Sequence, residues 1–280
     1  MKVLITGAGG QLGCALQKVL SDQEVVALNR AELDIANLDD VRSAVAAHRP
    51  DAVINCAAYT AVDLAEPDEA GAFKLNADGA RHLAIATAEM NIALAQVSTD
   101  YVFDGAGNRP YHENDLTNPQ SVYGRSKLAG EQAVASINPR HYIARTAWLY
   151  HHEPANAKNF PKTMLAQSHR QSVKVVNDQH GSPTYAPHLA AAIARLIETD
   201  SYGVYHLAGA GSATWFDLTV RLYQLFGVKT VVEPCATDEF PRPAPRPAYS
   251  ALETIREPKI LLPPWPEGLE QFAKAMQSSG

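Results

Sequence analysis

The chain has 280 residues, 46% hydrophobic and 19% charged, with a formal net charge of -6 and a pI near 5.9. That is ordinary globular composition, long enough for one large layered domain and a smaller one, and without a Lys/Arg run it recommends neither a nucleic-acid nor an anionic-membrane surface. No apolar stretch reaches the roughly 20 residues that span a bilayer, Met1 leads directly into a probable strand with no signal-type segment, and Cys14, Cys56 and Cys235 lie far apart with no metal-type spacing, so a reducing cytoplasm is expected.

The first half alternates. Lys2–Thr6 is a short apolar run, followed by glycines and a helical pattern over Gln11–Leu20. Glu24–Leu28 is a second run. Asn37–His48 reads as a helix with acids in its first turn and His at its end, which suits the macrodipole. Asp51–Ala57 is a third run, Pro67–Met90 is helical by composition, Ile92–Ser98 is a fourth run and His141–Trp148 a fifth. Strands alternating with helices predict an α/β fold, a Rossmann-type doubly wound parallel sheet. Apolar runs without polar alternation fit strands covered on both faces.

After Trp148 prolines and aromatics become more frequent and the alternation is lost. Residues 1–150 are therefore expected to form a dinucleotide-binding domain, and 151–280 mainly a smaller α+β substrate domain. The helical pattern over Pro187–Glu198 is a candidate to return to the first domain, and Gly203–Leu207 reads as a short strand. Pro241–Pro247 (PRPAPRP) must be extended, because each proline fixes φ and lacks an N–H.

The first glycines, TGAGGQLG, place Gly7, Gly10 and Gly13 between a strand and a helix. A tight turn there lets the backbone approach a pyrophosphate, and the helix N-terminus offers unpaired N–H groups and partial positive charge. In this βαβ context the pattern predicts cofactor binding; alone it would be an ordinary Gly-rich loop. The end of the second run should meet the ribose. It carries Asn29 and Arg30 where a diphosphopyridine site usually has an acid. Without that carboxylate a 2′-phosphate is not repelled, and Arg30 can bind one, so NADPH is expected, with NADH the alternative.

Tyr123 and Lys127 stand four apart in QSVYGRSKLAGEQ, on one face if that stretch is helical. Chance supplies about 0.4 such pairs in a chain of this composition, so the spacing alone is weak. A nearby ammonium favours the phenolate and would lower the tyrosine pKa towards the range where it donates a proton near neutrality. VSTDYVFDG ends the fourth run, and the C-terminal ends of parallel strands face the ligand crevice. That places Ser98, Thr99 and Asp100 beside the pair, with turn or cap chemistry the alternative for the two hydroxyls.

Together TGAGGQLG, NCAAYTAVDLAE, VSTDYVFDG, VYGRSKLAGE, RTAWLY, NFPKTML and VVNDQHGSPT resemble the extended short-chain dehydrogenase/reductases, and more closely the dTDP-4-dehydrorhamnose reductases. The resemblance runs from Met1 to about Ser250. It implies NADPH-dependent reduction of the 4-keto group of dTDP-4-dehydro-L-rhamnose to dTDP-L-rhamnose. By matched position, Tyr123 would donate the proton, Lys127 would hold the nicotinamide ribose and tune the tyrosine, and Thr99 would be the hydroxyl partner. Gly10, Gln11 and Leu12 would meet the pyrophosphate, Asp34 and Ile35 the adenine, and Ala58, Tyr59 and Thr60 the dinucleotide. Thr99, Asp100, Tyr123 and Trp148 would contact a dTDP-linked 4-keto-6-deoxy sugar, with Asn159 and Arg246 at the nucleotide or diphosphate. For Trp148 the alternative is a core aromatic, and for Asn159 a helix cap. Asn76 would bridge backbone or water. Some relatives carry an acid where this chain has Ala15 and use it in a metal-linked dimer; alanine cannot ligate a metal, and the adjacent His151 and His152 read as solvated, so no metal is expected. Two other functions share these features. One is reduction of a talose- or fucose-type keto-sugar; the other is a non-catalytic dinucleotide-binding subunit, for which a complete Thr99, Tyr123 and Lys127 set would be unnecessary.

Overall fold

The computed structural model describes residues 1–154 and 157–278. Five strands, β1 (Lys2–Thr6), β2 (Glu24–Leu28), β3 (Ala52–Asn55), β4 (Ala93–Thr99) and β5 (His141–Thr146), join a sixth, Gly203–His206, in one sheet. All pairs are parallel, in the order Gly203–His206, β5, β4, β3, β1, β2. The order reverses between β1 and β3, which opens a crevice at the C-terminal ends of the strands.

The apolar runs make this sheet because both of its faces are covered. On one face Val3 and Ile5 pack with Leu12 and Leu16 of α1 (Gln11–Val19) and with Leu189 and Ile193 of the helix Ala186–Leu196. On the other, Leu4 and Val53 meet Val41 and Val45 of α2 (Leu38–His48), Leu83 of the helix Gly79–Glu89 and Val134 of the helix Val122–Ile137. Val3, Leu4 and Ile5 are wholly buried, each side chain contributing roughly 1.5–3 kcal/mol. The first layer thus draws a helix and an edge strand from beyond residue 150.

Local chemistry sets the element ends. Asn37 caps α2, its Oδ1 accepting from Asp39 N at 3.0 Å, so the helix starts one residue later than its composition suggests. The expected helix over Pro67–Met90 runs without a gap from Glu69 to Glu89, as Glu69–Phe73, a π-turn Lys74–Asp78, and Gly79–Glu89. The turn carries Asn76 inward, where its side chain holds both the N–H and the carbonyl of Tyr59 and donates to Ser126 Oγ at 2.9 Å. Single-turn π-bulges commonly mark functional sites.

The remaining residues build a second lobe around Tyr150, Met164, Val173, Leu218, Leu222, Leu269 and Phe272. It holds the helices Trp215–Phe226 and Trp265–Ser278 and the parallel pair Ser172–Val176 with Val231–Cys235. The proline-rich stretch is pinned down: Ala244 N and Arg246 Nη2 both donate to the Asp63 carboxylate, at 3.3 and 2.8 Å. No helix among the described residues is long and apolar enough to cross a membrane.

Candidate active site

A cleft of about 790 Å³ runs along the crevice. At one end the chain leaves β1 through Gly7, at φ +64, where a Cβ would lie 2.6 Å from Ala57 N. A Cβ on Gly13 would stand 2.6 Å from both the Gly7 and Ala8 carbonyls. These two glycines let the turn close onto α1 and onto the loop after β3. At Gly9, by contrast, a Cβ would meet nothing within 4 Å. Gly10 begins α1 with no side-chain cap. The first-turn N–H groups of α1 therefore face the cleft with the positive end of the helix dipole, a fit for a pyrophosphate.

Arg30, Asp34 and Ile35 line the adjoining wall. No acid ends β2, but Glu32 folds back so that its carboxylate accepts from Asn29 N at 2.8 Å. Ala58 and Thr60 also line the cleft; Tyr59 does not, its backbone being held by Asn76.

The opposite end gathers the titratable groups. Thr99 closes β4 and donates from Oγ1 to Asp100 Oδ1 at 3.0 Å. Asp100 is buried, and its Oδ2 accepts from Ser250 Oγ at 2.6 Å. Burial raises its carboxyl to about 6 despite these bonds. Ser121 caps the helix that presents Tyr123 and Lys127, and Gly124 allows that helix against the Tyr101 carbonyl, which a Cβ would approach to 2.3 Å. Burial pushes the Tyr123 phenol up to about 12, with a Thr99 hydrogen bond opposing. The expected lowering is thus reversed: desolvation outweighs any effect of the lysine. Burial also lowers Lys127 to about 8, against the pull of Glu131. The Ser98 and Thr146 hydroxyls are buried here without protein partners, and both residues line the cleft. Such orphaned groups are rare unless a ligand meets them.

Gly7, Gly10, Gln11, Leu12, Arg30, Asp34, Ile35, Ala58, Thr60, Thr99, Asp100, Tyr123, Lys127 and Trp148 all line the one cleft. Asn159 and Arg246 do not. Asn159 is a helix cap, with Oδ1 accepting from Lys162 N, while its Nδ2 donates to Gln11 Oε1 at 2.7 Å. Arg246 lies on Asp63. His151 is buried rather than solvated, 1% exposed and edge-on to His152. Donor atoms of His151, His152 and Glu153 approach within 4.8 Å of one another, but the Lys18 ammonium already pairs with Glu153 at 2.6 Å.

Sequence reasoning missed Trp215 and Ser250. Trp215 lines the cleft and stacks on Trp148 with ring centroids 3.4 Å apart and planes 4° from parallel. Neither carried a local signal, since each comes from a distant part of the chain.

Known proteins are similar to this chain. The family described as RmlD substrate binding domain matches residues 1–278. A dTDP-4-dehydrorhamnose reductase of Streptomyces griseus is 44% identical over 263 residues, covering 90% of this chain and 86% of that protein. A Streptomyces antibioticus protein named as a probable dTDP-4,6-dihydroxy-2-methyloxan-3-one 4-ketoreductase is 44% identical over 258 residues, with 90% and 86% covered. The crystal structure of a dTDP-4-dehydrorhamnose reductase from Bacillus anthracis in complex with NADP superimposes with a TM-score of 0.94 at 39% identity, over 98% of this chain and 99% of that one. With a family match over almost its whole length, the same sheet and a cleft at its switch point, the chain belongs to the dTDP-4-dehydrorhamnose reductase family.

Proposed function

We propose that the protein is an NADPH-dependent oxidoreductase that reduces the 4-keto group of dTDP-4-dehydro-L-rhamnose to dTDP-L-rhamnose. The observation that carries this is the convergence of Thr99, Tyr123 and Lys127 in a cleft whose far end is the uncapped N-terminus of α1. NADPH, when bound, supplies the hydride. Gly7, Gly10, Gln11 and Leu12 hold its pyrophosphate, Arg30 its 2′-phosphate, and Asp34 and Ile35 border the adenine. Ala58 and Thr60 line the dinucleotide, while Lys127 takes the nicotinamide ribose.

The remaining groups act on the sugar. A phenol raised to about 12 stays protonated at neutral pH, so Tyr123 holds the proton that passes to the forming alkoxide. Thr99 turns its hydroxyl from Asp100 to the same oxygen, and Ser250 keeps Asp100 satisfied. Stabilisation of developing charge by such fixed donors is the protein's main contribution. Trp148 borders the sugar, Arg246 offers its remaining N–H groups to the diphosphate, and Asn159 acts through Gln11.

The test is NADPH oxidation followed in a system that generates the keto-sugar with the upstream epimerase. Tyr123→Phe should lower turnover by about 10²–10⁴-fold while leaving NADPH affinity unchanged; turnover at the parent rate would refute the assignment. A second reading rests on the S. antibioticus relative, which is equally identical and named for a different keto-sugar: the protein reduces another nucleotide-linked 4-keto-6-deoxy sugar, of talose or fucose type. NMR of the sugar product separates the two.

A further inference from the structure

The segment VVNDQHGSPT has no part in the chemistry above, yet its side chains converge on one object, the Trp148–Trp215 stack. Trp148 has a left-handed backbone, φ 47, rare for a bulky residue and a sign that the surroundings dictate its position. Gly181 makes room for its indole: a Cβ there would lie 2.3 Å from Trp148 Cε2. Thr184 N donates to the Trp148 carbonyl at 3.2 Å. The second indole is fixed from the same segment. Trp215 Nε1 donates to Gln179 Oε1 at 3.0 Å, and Gln179 Nε2 donates in turn to Thr237 Oγ1 at 3.0 Å. Thr237 is itself anchored, its hydroxyl donating to Asp178 at 2.6 Å. Asn177 Oδ1 stands 2.8 Å from the hydroxyl of Thr214, the residue that caps the helix beginning at Trp215.

We propose that this segment is the mount of an aromatic wall on the sugar-nucleotide side of the cleft. Gln179 and Trp215 are positioning residues: Gln179 sets the rotation of the Trp215 indole, and Trp215 sets Trp148, which borders the sugar. Gln179 is 8% exposed, so its hydrogen bonds do not compete with bulk water and the relay is rigid. A flat indole offers the apolar face of a deoxy-sugar a surface fixed before binding, and a pre-organised surface loses less freedom when the ligand arrives. The ligand class rests on the proposed reductase activity; the mount does not.

The test compares Gln179→Leu, Gln179→Glu and Trp215→Leu with the parent, using three readouts. Near-UV circular dichroism reports the coupled indoles, steady-state kinetics give KM for the keto-sugar and for NADPH, and calorimetry with dTDP-L-rhamnose gives affinity without turnover. Gln179→Leu and Trp215→Leu should lose the coupled-indole signal and raise both the keto-sugar KM and the dTDP-L-rhamnose Kd by about fivefold, the ordering cost of one side chain that a pre-organised wall spares. NADPH KM should stay unchanged. Gln179→Glu keeps an acceptor for the Trp215 N–H but loses the donation to Thr237, so it should recover part of the indole signal and of the affinity lost in Gln179→Leu, which a merely structural position would not show. If Gln179→Leu loses the indole signal yet keeps the parent Kd and KM, the wall does not position substrate and the proposal fails. Failure of the parent to turn over the keto-sugar overturns the reductase reading instead, and the dTDP-L-rhamnose titration still decides the mount.

Discussion

The Lys127 ammonium donates to the carbonyl of Val97 at 2.7 Å, across the base of the cleft. That bond uses one of its three N–H groups and leaves two for the site. Because burial lowers this lysine to about 8, it loses its proton within reach of ordinary assay buffers, whereas a phenol near 12 does not. Turnover that needs the ammonium should therefore be level below neutrality and fall about tenfold per pH unit once pH exceeds about 8. Lys127→Arg, slower but with a guanidinium that stays charged, should remain level to pH 10. A falling limb near 8 retained in Lys127→Arg would show that another group titrates there.

Glu131 bears on the same lysine. Its carboxylate pulls the Lys127 pKa up against desolvation and also receives Arg145 through Nε and Nη2, both side chains being buried. Removing the charge leaves an uncompensated guanidinium in the core, typically a loss of about 3–5 kcal/mol. Glu131→Gln should lower the urea midpoint accordingly and shift the alkaline limb of activity to lower pH. A stability loss with the limb unmoved would separate Arg145 from Lys127.

The strands were readable because β1, β3 and β4 are runs of apolar residues with no polar alternation, which only a sheet covered on both faces can bury. Tyr123 and Lys127 were readable as one helix face. The direction of the tyrosine shift was not, because it depends on how deeply Val122–Ile137 sinks beside β4, and the glycines that allow this, Gly124 and Gly130, contact Tyr101 and Asn76 from other parts of the chain. The π-turn at Asn76 was not legible for a similar reason, the partners of Asn76 being Tyr59 and Ser126, 17 and 50 residues away. Trp215 reaches the cleft, and Ser250 reaches Asp100 beneath it, only through long-range folding of the chain beyond β5. Periodicity reports which face is buried, and side-chain hydrogen bonds over long separations lie outside it.

Asp100 should make stability depend on pH. Its folded pKa is raised from 3.8 to about 6, chiefly by burial. Between those values the folded protein holds a proton that the unfolded chain has released, so stability falls as pH rises through this window, and the full cost persists above it. Asp100→Asn removes that cost, of order 1–3 kcal/mol, less whatever is lost in hydrogen bonding to Ser250. The Tm gap between variant and parent should widen in favour of the variant from pH 4 to 6.5 and then hold steady. A gap constant over that range would mean that Asp100 is not the group being titrated.

Arg30 should decide which dinucleotide is preferred. It lines the cleft where β2 ends without an acid, and the nearby Glu32 carboxylate is engaged by Asn29 N–H at 2.8 Å. A 2′-phosphate placed there would meet a guanidinium, and charge-assisted bonds to phosphate are among the strong ones. A 2′-hydroxyl would gain little from the same residue. Arg30→Ala should therefore raise the KM for NADPH by about tenfold, the equivalent of one such bond, and leave the NADH value nearly unchanged. Asn29→Asp should penalise NADPH further by adding a carboxylate beside the phosphate and should favour the ribose hydroxyl of NADH. The measurement is KM for each dinucleotide at saturating keto-sugar, and equal losses for both in Arg30→Ala would place the guanidinium on the shared pyrophosphate instead of the 2′ position.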